Sequence, residues 1–161
     1  MEVIPYFFFG TLMDPDVLSL VLGRDPGPLS TAATLSGFAR VRVESEPYPA
    51  LVEAPGGQVD GLLLRDYVPE DDQRIRFFED FDFAIEHCSV ETASGPEMAL
   101  YCGAVRNIAP MDITWSYADW VRDEKDRFLK VAEIYMASFG VLDPEAADRL
   151  WLDTVREVYG N

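Results

Sequence analysis

The chain has 161 residues, 48% of them hydrophobic, a size that suits one domain (1–161) able to bury a core without disulfides or metals. Its 13 basic and 29 acidic residues give a formal charge of −16, which repels phosphate backbones and anionic lipid surfaces, so neither nucleic acid nor a membrane is an expected partner. No signal-like segment opens the chain and no apolar run approaches membrane-spanning length, so a soluble, cytoplasmic protein is expected.

Residues 3–9 read as a buried strand rich in aromatic and β-branched side chains, and residues 15–22 as a short helix with Asp14 as N-cap, Pro15 at its first position and Gly23 as its stop. Between them stands Phe9-Gly10-Thr11-Leu12. Glycine there permits close backbone approach, and the helix start adds free N–H groups and a positive dipole end, so the junction is either an anion cradle or a plain strand-to-helix turn. Strand-like segments follow at 33–43, 50–53 and 58–64, with Pro47, Pro49 and a turn at Pro55-Gly56-Gly57 separating them. Several short strands fit a barrel or a strongly bent sheet better than a doubly wound one.

Pro69 opens a second helix whose inward row holds Asp72, Ile75 and Glu79, and the acidic run Glu70-Asp71-Asp72 reads as its solvated face. A strand pair is expected at 85–92 and 98–105, joined through Ser94-Gly95-Pro96. Residues 117–139 read as one helix ended by Gly140, and Asp143-Pro144 opens a last helix to Tyr159. Trp115, Trp120 and Trp151 are assigned to core packing. The segment 115–161 is thus a helical portion packed on the rest.

His87 beside Cys88 invites a nucleophilic dyad, but neighbours on a strand point to opposite faces. Cys88 and Cys102 read as free core cysteines. One histidine and two separated cysteines make no metal-ligand spacing, and Asp80-x-Asp82 alone is too short a pattern for calcium. No phosphate-loop or dinucleotide fingerprint is present, so neither metal nor cofactor is expected.

The order of Phe9-Gly10-Thr11-Leu12, Leu35-Ser36-Gly37-Phe38-Ala39-Arg40, Tyr48-Pro49-Ala50-Leu51-Val52, Val59-Asp60-Gly61 and Phe77-Phe78-Glu79 resembles the gamma-glutamylcyclotransferase-like superfamily, which includes the plant avirulence-induced-gene-like proteins. The resemblance implies an α+β fold, a small mixed β-barrel flanked by helices. It also implies an activity, release of 5-oxoproline from a small-molecule gamma-glutamyl substrate. On it Glu79 takes the place of the family's catalytic glutamate. Gly10, Thr11 and Leu12 take that of the substrate-binding loop, with Phe9 preceding them, and Tyr48 and Pro49 form a pocket wall. Around Glu79 three positions depart from the family's pattern: Arg76 replaces an acid, Asp80 a glycine and Phe83 a tyrosine that faces substrate. These departures keep open a rival reading, a non-catalytic small-molecule binding protein of the same fold.

The chemistry sets its own demands. Forming 5-oxoproline requires the substrate's α-amine to attack its own γ-carbonyl, so one carboxyl group with a raised pKa serves as base and then acid. Phe77, Phe78, Phe81 and Phe83 are expected to desolvate Glu79 and supply that raised pKa.

Overall fold

The computed structural model describes residues 3–44, 46, 48–79, 83–105 and 110–160, with the side chains of 83, 84 and 103–105 outside that set. Asp80, Asp82 and the Phe83 side chain therefore lie outside the described residues.

The described strands are β1 (Tyr6–Phe8), β2 (Thr31–Val43), β3 (Pro49–Leu64), β4 (Phe83–Thr92), β5 (Gly95–Val105) and β6 (Pro110–Thr114). They order as β3-β1-β5-β4-β2-β6, and an added β3–β2 pairing closes the first five into a barrel. Only β1 and β5 run parallel; the other pairs are antiparallel, which makes the barrel mixed. The helices are α1 (Pro15–Leu22), α2 (Pro69–Glu79), α3 (Tyr117–Asp123), α4 (Lys125–Met136) and α5 (Pro144–Tyr159), and a 3-10 turn spans Thr11–Met13.

β1 is buried on both faces, which explains why its aromatic run does not alternate with polar residues. Phe7 and Phe9 join Leu35, Leu51, Val59, Leu63, Val90 and Tyr101 inside the barrel. Tyr6 and Phe8 face the other way, into a core shared with Val17, Leu18, Val21, Trp120, Phe128, Val131, Tyr135 and Trp151 from the helices. Gly61 makes the β1–β3 approach possible: a Cβ there would lie 2.3 Å from the Phe8 carbonyl oxygen and 2.6 Å from the Phe7 ring.

Three sequence expectations are corrected, and one element is new. The Pro55-Gly56-Gly57 segment does not separate two strands; it bulges within the continuous β3. Register passes from Ser36 opposite Gln58 to Phe38 opposite Glu53, so residues 54–57 face Gly37 alone. The expected helix at 117–139 is two helices, because Glu124 leaves helical geometry at φ −121° and ψ −30°. Strand β6, fully exposed and paired only with β2, had no expectation at all. Asp71 is not part of a solvated face: it is 2% exposed, held by Arg24 Nη2 at 2.6 Å and Nε at 3.1 Å, and it accepts from the Val68 amide at 3.0 Å. That bidentate bond to Arg24, before all else, holds the Asp71 carboxyl below the usual aspartate range.

Candidate active site

The 3-10 turn follows β1 because the strand's pairing ends at Phe8 and Gly10 lets the chain bend beneath Pro49. A Cβ at Gly10 would sit 3.0 Å from Pro49 Cγ and 3.1 Å from its Cδ. The turn closes through Met13 N–H to the Gly10 carbonyl and Asp14 N–H to the Thr11 carbonyl, both at 3.0 Å. Among the described residues the amides of Gly10, Thr11 and Leu12 donate to no backbone acceptor, and the Thr11 hydroxyl has no hydrogen-bond partner.

The free N–H groups expected at the start of α1 are not free. Asp14, only 1% exposed, caps Asp16 N at 3.0 Å and Val17 N at 3.1 Å through Oδ1. Its other oxygen accepts from Tyr117 Oη at 2.9 Å and lies 3.0 Å from Lys125 Nζ. The helix end is thus already occupied by a carboxylate of the chain itself, and the cradle consists of the 3-10 turn alone.

Glu79 is the last residue of α2 and lies half-buried. It lines one pocket with Phe9, Gly10, Thr11, Leu12, Tyr48 and Pro49, a cavity of about 40 Å³. Seven of the eight residues nominated from sequence meet there; the eighth is Phe83, whose side chain is outside the described set. The structure adds Tyr6, Phe7, Phe8, Ile75, Ile85 and Cys102 to the walls, positions that the sequence patterning had read only as strand, helix or core.

Burial raises the Glu79 pKa from 4.5 to about 7, opposed by a hydrogen bond from the Cys102 thiol. The expected source of this burial is corrected in part. Phe77 stacks on Tyr135 with ring centroids 4.8 Å apart, and Phe78 packs edge-on against Phe128 and Trp151 at 6.1 Å each. Both rings serve the helical core, while Ile75, Ile85, Cys102 and Tyr6 surround the pocket beside Glu79. The arginines nearest Glu79 on α2, Arg76 and Arg74, are engaged elsewhere: Arg76 Nε with Asp72 at 3.0 Å, Arg74 Nε with the Val21 carbonyl at 2.6 Å. Tyr6 donates to Asp72 across the same region.

Other sequence candidates stay apart. His87 is exposed and Cys88 half-buried on successive positions of β4, and burial pushes the Cys88 thiol up to about 11, away from a nucleophilic thiolate. Among the described residues no group of three or more His, Cys, Asp or Glu is placed to hold a metal ion.

A family profile described as "Gamma-glutamyl cyclotransferase, AIG2-like" matches residues 6–122, which span the barrel, α2 and every nominated site residue. The chain belongs to this family. Its similarity to AIG2-like protein C of Arabidopsis thaliana is 24% identity over 147 residues, covering 89% of this chain and 83% of that one. AIG2-like protein D of the same plant is 28% identical over 131 residues, covering 79% and 85%. Two Arabidopsis thaliana proteins solved in solution share its fold. One has a TM-score of 0.61 at 23% identity over 81% of this chain and 88% of that chain; the other has 0.59 at 19% identity over 87% of each. Among the described residues no helix is long and apolar enough to cross a membrane.

Proposed function

We propose that the protein is a cyclotransferase that releases 5-oxoproline from a gamma-glutamyl amino acid, amine or related small molecule, with Glu79 as general base and acid. The observation that carries this reading is the sharing of one pocket by a desolvated carboxyl group and three turn amides without backbone acceptors. Family membership supports it.

In the reaction the substrate's α-carboxylate rests on the amides of Gly10, Thr11 and Leu12, which offer hydrogen bonds and require no dehydrated cation. Glu79 removes a proton from the α-ammonium. The freed amine attacks the γ-carbonyl carbon, closing the five-membered ring and pushing electrons onto the oxygen. As the tetrahedral adduct collapses, Glu79 returns its proton to the leaving nitrogen and the bond to that nitrogen breaks; the ring nitrogen's second proton then passes through the Glu79 carboxylate to the departing amine, which leaves as an ammonium. Nothing is oxidised or reduced, and Glu79 ends as it began.

Energetics favour Glu79 near its shifted value. Taking a proton from an α-ammonium of pKa about 8 costs about 5 kcal/mol for an ordinary exposed glutamate. With Glu79 at about 7 the same step costs about 1.4 kcal/mol. The matched carboxylic acid is also a competent donor in the second half of the reaction.

The test is release of 5-oxoproline from a panel of gamma-glutamyl amino acids, gamma-glutamylamines and glutathione. At least one substrate should turn over, with kcat/KM rising through an ascending limb centred near pH 7 as Glu79 ionises. Glu79→Gln, which keeps volume and shape, should lower kcat about a hundredfold or more. Near-normal turnover in folded Glu79→Gln protein would overturn the mechanism. Binding of 5-oxoproline without turnover of any panel member would favour the rival, a binding protein of the same fold.

A further inference from the structure

Arg40 stands on β2 outside the pocket lining, yet its side chain reaches the backbone that builds the cradle. Its Nη1 donates to the Phe9 carbonyl at 2.7 Å and to the Asp60 carbonyl at 3.1 Å, tying the end of β1 to β3. The guanidinium carbon lies 5.5 Å from the centroid of the Trp115 ring, and the Trp115 amide donates to the Arg40 carbonyl at 3.1 Å. Among the described residues no carboxylate comes within ion-pair distance of this guanidinium, and its buried Nε has no hydrogen-bond partner. The guanidinium is therefore held through Nη1 by two backbone carbonyls, with the Asp60 carboxylate acting on its charge from beyond ion-pair distance.

The Phe9–Gly10 peptide is trans, so its C=O and N–H point in opposite directions. A guanidinium gripping the carbonyl from one side leaves the Gly10 N–H facing the other, and Gly10 lines the pocket. A charged donor on the carbonyl also draws electron density from the peptide nitrogen and strengthens the N–H as a donor.

We propose that Arg40 is the positioning residue of the cradle: it aims and polarises the Gly10 amide, and its charge draws the substrate's α-carboxylate onto residues 10–12. This rests on the cyclotransferase reading for the ligand, but the effect on the amide belongs to the free protein.

The experiment uses the full chain as wild type, Arg40→Met and Arg40→Lys, with ¹H–¹⁵N spectra recorded without ligand and through a titration with 5-oxoproline. Without ligand the Gly10 amide proton should move upfield in Arg40→Met, while Arg40→Lys, which keeps the charge, restores part of the shift. Affinity for 5-oxoproline should fall about tenfold or more in Arg40→Met, the range for loss of a charge-assisted hydrogen bond, and KM for a turned-over substrate should rise more than kcat falls. A folded Arg40→Met protein with an unchanged Gly10 signal and unchanged affinity overturns the proposal. If wild type binds no 5-oxoproline, the cyclotransferase reading fails, and the ligand-free Gly10 shift alone decides the role of Arg40. If Arg40→Met does not fold, Arg40→Lys decides by the same readouts, an unchanged Gly10 shift and affinity overturning the proposal.

Discussion

Glu79 ionises near pH 7 in the folded chain and near 4.5 when exposed, so between those values the native state holds a proton that the unfolded chain has released. Stability therefore falls as pH rises through this window, and above pH 7 the loss is full, about 3 kcal/mol at roughly 1.4 kcal/mol per pH unit. Glu79→Gln cannot ionise and escapes this loss. Its melting temperature should exceed wild type by several degrees at pH 8, at roughly 2–4 °C per kcal/mol for a domain of this size, and the difference should vanish at pH 4. Equal melting curves at both pH values would mean that Glu79 titrates normally. The position of this carboxylate was legible through the resemblance around Phe77-Phe78-Glu79, but the agent of its burial was not. Residues one and two apart on a helix do not share a face, so Phe77 and Phe78 turn to α4 and α5 while Ile85 and Cys102 arrive from strands distant in sequence.

At the scale of elements, α1 and α5 were legible because local chemistry marks them: Asp14, Pro15 and Gly23 set both ends of one, and Asp143 and Pro144 the start of the other. The continuity of β3 was not, since Pro and Gly mark turns and bulges alike and the partner strand decides which forms. The break at Glu124 carries no Pro or Gly, so nothing local announced it. Asp14 shows how one residue can be read correctly as a cap and wrongly as part of an open anion site. Tyr117, pushed up to about 12 by burial and then by the Asp14 carboxylate, remains a hydrogen-bond donor to it at all ordinary pH. Asp14→Ala removes the cap, worth about 1 kcal/mol, and the charged acceptor of Tyr117, worth about 1.5–3 kcal/mol. Chemical denaturation should show a loss of about 2–4 kcal/mol, with 5-oxoproline affinity of the folded fraction within about twofold of wild type. A tenfold change in that affinity, in either direction, would place the first turn of α1 inside the binding site after all.

Over the whole molecule, barrel and helices meet in one core. Tyr6, Phe8, Leu64 and Leu100 come from the barrel strands, and Val17, Val21, Phe128, Tyr135, Met136 and Trp151 from α1, α4 and α5. Closure of the barrel was legible only through the resemblance, because pairing β1 with β3 and, in parallel, with β5, and β2 with β4, joins segments far apart in sequence. Trp151 is the sharpest probe of whether residues 115–161 and the barrel form one cooperative unit. It is buried at 5% exposure, packs edge-on against Phe78 of α2 at 6.1 Å and lies against Phe128 and Tyr135 of α4 at 6.0 Å and 5.3 Å. Truncating such a ring in a core typically costs about 3–5 kcal/mol, transfer and cavity together. Because Phe78 lies one residue before Glu79, the cavity left by Trp151→Ala opens directly behind the end of α2. Trp151→Ala should therefore lower stability by about 3–5 kcal/mol, with far-UV circular dichroism and fluorescence of the remaining tryptophans unfolding at one shared midpoint. Two separated midpoints, the helices melting before the barrel, would show instead that α3 to α5 fold as a unit of their own and that the pocket's carboxylate is held by the barrel and α2 without them.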